Sequence, residues 1–122
     1  MNEKKIKLVY ISGKIGETEI SPATRRKFLK ARNRLVKAGY AIIDPTDEGY
    51  QKETKHHVKI EKKKWMDLDV GAFDWYAWVL LWDMHSLALA DAIYMLKDWK
   101  DSKGATAEHA FAVACGKEII YE

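Results

Sequence analysis

The residues of this 122-residue chain that could do chemistry are carboxylates set among apolar and small neighbours. Glu108 stands in the stretch DWKDSKGATAEHA (98–110), close to Gly104, Ala105 and Ala107, whose small side chains leave room beside it. Read as part of the first turn of a helix, it is kept ionised by the positive end of the helix dipole. An ionised carboxylate in a pocket can act as a nucleophile, although a first-turn Glu also simply stabilises a helix. Asp83 lies among Leu80, Leu81, Trp82, Met84 and Leu87. A carboxylate on such a face needs a partner or a role, and desolvation that raises its pKa suits it to donating a proton. Asp91, eight residues on, heads a strand, and its role reads as structural, holding the strand end by hydrogen bonds. Two carboxylates in unlike surroundings are the minimum equipment for breaking a glycosidic bond: one attacks the anomeric carbon while the other protonates the leaving group. A separation near ~5 Å makes that mechanism covalent and retaining.

The elements that must position these groups follow from the apolar pattern. KLVYIS (7–12) reads as a buried first strand ending at Gly13, and residues 14–20 as a polar loop. Ser21-Pro22 marks a helix start, Phe28, Ala31, Leu35, Val36 and Ala38 recur at helical spacing, and Gly39 ends the run. Residues 40–43 form a second strand closed by Asp44-Pro45. Over residues 46–64 the pattern is lost: Lys52, Lys55, Lys59, Lys62, Lys63 and Lys64 face only Glu53 and Glu61. This segment reads as a solvated loop or mobile helix, with a phosphate-binding flap as the alternative. Residues 65–89 read as helical, at least from Asp74, and their tryptophans point to core and a subunit interface. Residues 92–96 form a third strand, 104–115 the next helix, and 118–121 a last strand. The order β-α-β-(long loop)-α-β-α-β implies a single-domain α/β fold with a parallel sheet of four to five strands and helices on both faces. Ligands in such sheets bind beyond the carboxyl ends of the strands, here at residues 10–13 and 97–104.

The bulk numbers agree with one domain over 1–122. Apolar residues make up 48 %, and the net charge of +3 is small for a nucleic-acid binder. The lone Cys115 excludes a disulfide framework and points to a reducing compartment. No apolar run approaches the ~20 residues that cross a bilayer, and MNEKKIK lacks the apolar stretch of a signal peptide, so the expectation is a soluble cytoplasmic protein with no membrane partner. His56-His57 has no further Cys or His at metal spacing, so no metal is expected. His109 adjoins Glu108 but points about 100° away on a helix and is not counted as its partner. His85 reads as a surface or interface residue.

Taken together, YISG (10–13), the Asp83…Asp91 spacing, DAIYML, the SKGA…E element (102–108) and the closing GKEIIYE resemble the nucleoside 2-deoxyribosyltransferase family and its relative, the 2'-deoxynucleoside 5'-phosphate N-hydrolases. The likeness is greatest to small phage-type and bacterial members with a W-x-x-SKGA-x-x-E signature, here Trp99 to Glu108. It covers both ends of the chain and fades between about 46 and 74. The resemblance implies a flavodoxin-like sheet and a homo-oligomer, here through the Trp-rich helix. Glu108 falls at the nucleophile that attacks C1' of deoxyribose, Asp83 at the group that assists the leaving base, and Tyr10 at a tyrosine that orients the nucleophile. Ser102 and Gly104 match the loop around the sugar's 5' side, and no metal or organic cofactor is implied. The substrate-binding set is Ser12, Gly13, Lys14, Trp99, Ser102, Lys103 and Gly104, with Lys14 and Lys103 suited either to a 5'-phosphate or to a solvated surface, and Trp99 to stacking or to packing over the sheet end. Lys14 stands where the family often has Pro, and the chain stops at Glu122, where related nucleoside enzymes commonly use a neighbouring subunit's extension. The expected function is cleavage or transfer of a deoxynucleoside N-glycosidic bond through a covalent glutamate intermediate. A nucleotide-binding module without turnover and NAD glycohydrolase-like activity are the alternatives.

Overall fold

The computed structural model describes residues 5–16, 19–68 and 71–122. The stretch MNEKKIK and the loop 14–20 therefore lie partly outside the described residues, as do residues 69–70 of the expected 65–89 helix. Four strands, β1 (Leu8–Ser12), β2 (Ala41–Ile43), β3 (Ala92–Met95) and β4 (Glu118–Tyr121), form one parallel sheet in the order β2-β1-β3-β4. Four α-helices accompany them: α1 (Pro22–Lys37), α2 (Glu48–Asp67), α3 (Trp75–Leu89) and α4 (Lys103–Ala114). A 3-10 turn, Trp99–Asp101, precedes α4. The expected α/β class, strand count and single domain hold.

The two-residue repeat of β1 builds a core on each side of the sheet. Val9 and Ile11 point to one side, where Phe28, Ala31 and Leu35 of α1 pack against Ala92, Tyr94 and Leu96. Tyr10 points to the other side, toward Leu87 and Ala90 at the end of α3 and Ala105 and Ala112 of α4. Ser21 caps α1 by accepting the Thr24 amide hydrogen, and Pro22 fills the first helical position. Gly39 and Gly116 take positive φ (97° and 68°) just past α1 and α4, where an L side chain would be strained. Asp91 does hold a strand end: its Oδ2 accepts the Leu8 amide at 2.8 Å, while its own N–H donates to the Leu8 carbonyl.

Two boundaries differ from the sequence reading. Residues 48–67 form a 20-residue helix, capped by Asp47, so of the two readings of this segment the helix holds and the loop does not. Its inward face is nearly devoid of large apolar groups, with only Thr54 and Val58 buried, so the pattern gave no helical signature. Trp65 belongs to the end of this helix, and α3 starts at Trp75 with Asp74 as its cap.

Where β1 leaves the sheet, Gly13 passes so close to β3 that an added Cβ would lie 2.5–3.0 Å from the Leu96 side chain, including 2.8 Å from its Cβ. Leu96 is fully buried and cannot retreat. Gly13→Ala is therefore expected to lower stability by about 1–3 kcal/mol, read as a drop in the urea midpoint at unchanged m-value. An unchanged midpoint would show that the loop relaxes freely.

Candidate active site

Beyond the carboxyl ends of β1 and β3 lies a cavity of about 620 Å³. These are adjacent strands whose connections run to opposite sides of the sheet, the place where open α/β sheets bind ligands. The loop after β1 lines one side with Gly13, Lys14, Ile15 and Gly16, and the start of α4 lines another with Ser102, Lys103 and Gly104. Helices α2 and α3 close it with Gln51, Thr54, Lys55, Trp75, Tyr76, Val79 and Leu80. Asp83 and Glu108 both open into it.

Each carboxylate is paired with a tyrosine. Tyr10 donates to Glu108 Oε2 at 2.6 Å, and Ser12, two residues along the same strand face, donates to Oε1 at 2.7 Å. Glu108 is 5 % exposed, so both its oxygens are fixed within the fold. Tyr50 of α2 donates to Asp83 Oδ1 at 2.8 Å, and the Tyr50 hydroxyl lies 3.0 Å from Ser86 Oγ.

Ser102 caps α4 by accepting the Ala105 amide, which makes Lys103 the first helical residue and Glu108 the sixth. Glu108 is thus in the second turn, not the first, and the dipole does not set its charge. Burial, then the negative charge of Asp83, raise its pKa to about 8, against the Tyr10 and Ser12 donors that pull it down. Burial likewise lifts Asp83 to about 6, opposed by the Tyr50 hydrogen bond. The pair therefore holds one proton between them near neutral pH, and the two values belong to the pair. Burial and then the Glu108 and Asp83 charges push Tyr10 well above the ordinary phenol range, so it remains a donor.

The structure brings together Tyr10, Ser12, Gly13, Lys14, Asp83, Ser102, Lys103, Gly104 and Glu108 around one cavity. It does not bring Trp99. That ring stacks on His109 at 4.3 Å and packs against the apolar core over β3 and β4, away from the cavity lining. His109 is turned from Glu108 as its helical phase requires and meets the Tyr121 hydroxyl at 2.8 Å. Ser12 is a partner of Glu108 itself. Ala107 does not line the cavity, and the space over Gly104 is shared with Tyr76: an added Cβ would lie 3.1 Å from the Tyr76 hydroxyl.

The rim is braced from below. Asp98 accepts the Lys14 amide at 3.0 Å and pairs with Lys27 at 2.6 Å, and Lys27 also donates to the Lys14 carbonyl. Partial burial would raise the Asp98 pKa, but the Lys14 amide and the Lys27 ammonium outweigh it and hold the carboxyl below its usual range. The sequence reading missed Tyr50, Gln51 and Thr54 of α2, while Lys55, one of the basic residues it weighed as a phosphate-binding flap, does line the cavity. Tyr50 does stand six residues past Asp44 in a polar stretch, but nothing local marks it as facing a carboxylate 33 positions away.

Among the described residues there is no cluster of three or more His, Cys, Asp or Glu able to hold a metal ion, and no helix is long and apolar enough to cross a membrane. A family model described as "Domain of unknown function (DUF4406)" matches residues 7–121. No curated protein matches this sequence.

Proposed function

The chain belongs to the family described as a domain of unknown function, DUF4406, and for it we propose cleavage of the N-glycosidic bond of a deoxynucleoside or its 5'-monophosphate, by hydrolysis or by transfer to another base. The observation that carries the reading is that buried Glu108 and partly buried Asp83 open into one cavity. Its likeness in motif to the nucleoside 2-deoxyribosyltransferases adds to that reading.

Glu108 attacks C1', the C1'–N bond breaks, and the base leaves with the proton of Asp83. A water, giving its proton back to Asp83, or an incoming base then opens the glycosyl ester. At rest the higher pKa leaves the proton on Glu108; the reactive arrangement is the one with the proton moved to Asp83, in which Tyr10 and Ser12 hold both oxygens of the ionised Glu108. Trp75 and Tyr76 offer aromatic surface for a base, and Lys14, Lys55 and Lys103 offer charge for an anionic end. The apolar residues that α3 leaves exposed, Trp75, Leu81 and Leu89, support self-association through that helix.

One incubation tests the proposal: the protein with a panel of deoxynucleosides, their monophosphates and NAD, with free base followed by chromatography. Base release from the deoxy substrates supports it. Release of nicotinamide alone moves the activity to NAD, and a ligand-dependent rise in Tm without product leaves a binding module.

The pH dependence follows from the pair. Below about 6 both carboxyls are protonated and no nucleophile exists; above about 8 both are ionised and no acid exists. The rate of base release is expected to be bell-shaped between those limits. A rate that rises monotonically from pH 5 to 10 would remove Asp83 and Glu108 as a proton-sharing pair.

A further inference from the structure

We propose that Tyr50 is the positioning residue for Asp83: by occupying Oδ1 it leaves Oδ2 as the oxygen that carries the proton to the departing base. The inference rests on the reading of Asp83 as the acid. The Tyr50 hydroxyl donates to Oδ1 at 2.8 Å, and Ser86 Oγ lies 3.0 Å from the same phenol. Asp83 and Ser86 are three residues apart on α3 and so share the face that meets α2. Ser86 is buried, and its single hydroxyl hydrogen goes either to the phenol oxygen, holding the far side of Tyr50 to α3, or to the Trp82 carbonyl at 3.3 Å.

The tyrosine cannot be the proton source. Burial, then the Asp83 charge, hold its proton above the range in which the protein operates. What it can do is strengthen its hydrogen bond as Asp83 loses a proton and gains charge. That interaction is greater in the transition state than before it and so speeds base departure. Other titratable groups also face the cavity around Asp83: Lys55 from α2, Tyr10 and Lys14 from β1 and its loop, Tyr76 from α3, and Asp101, Lys103 and Glu108 around the start of α4. Tyr50, which does not line the cavity, is the side chain that hydrogen-bonds Asp83 among the described residues.

The test is Tyr50→Phe, with 3-fluorotyrosine placed at position 50 as the companion in which the donor is kept and made more acidic. Titration of the Asp83 carboxyl by carbon NMR is followed in each, beside the pH profile of base release. In Tyr50→Phe the Asp83 titration is expected to move to higher pH, the acid limb of the bell to move with it, and kcat to fall about tenfold at unchanged KM. Fluorotyrosine is expected to move the titration to lower pH. An Asp83 titration that stays in place in both proteins overturns the proposal, as does a Tyr50→Phe profile identical to that of the parent. If the titration shifts as expected but the parent protein cleaves none of the panel, the hold of Tyr50 on Asp83 stands and the glycosidic reading fails instead.

Discussion

Glu108→Gln is expected to abolish base release, by about 10³-fold or more, in a protein that folds as the parent does. The expectation follows from the covalent role: an amide cannot form the glycosyl ester, and no other carboxylate meets both Tyr10 and Ser12. The same substitution separates chemistry from stability, because Glu108 is a strained tenant of its site. Its folded pKa, about 8, lies above the ordinary value of 4.5, so between those pH values the folded chain holds a proton that the unfolded chain has released. Folding stability is thus greatest below about 4.5 with respect to this group and is lost as pH rises toward 8. The loss is on the order of a few kcal/mol, shared with Asp83. Glu108→Gln removes this dependence, so its Tm is expected to exceed that of the parent by a margin that widens from pH 5 to pH 9. Scanning calorimetry at those two pH values gives the comparison. Full turnover in Glu108→Gln, or a margin that narrows with pH, would each count against the assignment.

Asp83→Asn is expected to slow base release by about 10²- to 10⁴-fold, the span general acid catalysis supplies. The loss should depend on the leaving group. A deoxyriboside bearing nitrophenolate departs without a proton, so Asp83→Asn should cleave it nearly as fast as the parent, while Glu108→Gln should not cleave it at all. The order of the two pKa values, taken alone, favours the opposite roles, with Glu108 keeping the proton. The nitrophenolate substrate decides between them: rescue of Glu108→Gln and not of Asp83→Asn would reverse the assignment. The two hydroxyls donating to Glu108 are the reason to place the attacking oxygen there, because a carboxylate held by donors on both oxygens is oriented before substrate arrives.

Much of this arrangement is legible in the chain itself, for identifiable reasons. The strands are short apolar runs, β1 closed by Gly13 and β2 by Asp44-Pro45, and α1 carries both its cap and its stop, so their order and the parallel sheet follow from local signals. The convergence of Tyr10 and Glu108 at one sheet end follows from topology, since both stand beside the carboxyl ends of neighbouring strands. Helix α2 could not be told from a loop because burial of two small or β-branched residues leaves no apolar stripe to read. Tyr50 was hidden with it, as its value depends wholly on meeting α3. Trp99 misled for the opposite reason: a large ring near a binding loop suits stacking on a ligand, and here the ring's partner is His109. Glu108 was placed a turn too early, since even a helix begun at Gly104 makes it the fifth residue, and its charge is set by desolvation rather than by the helix end.

The Asp98 brace under the rim has a thermodynamic meaning. Lys14 is tied at both its amide and its carbonyl, while its ammonium has no partner among the described residues. The backbone of Lys14 is therefore already fixed before encounter, and at this residue only the side chain remains to be immobilised. Recognition at this edge starts with most of its entropic penalty already met by folding, which favours a fast, shallow association over one that waits for a loop to settle.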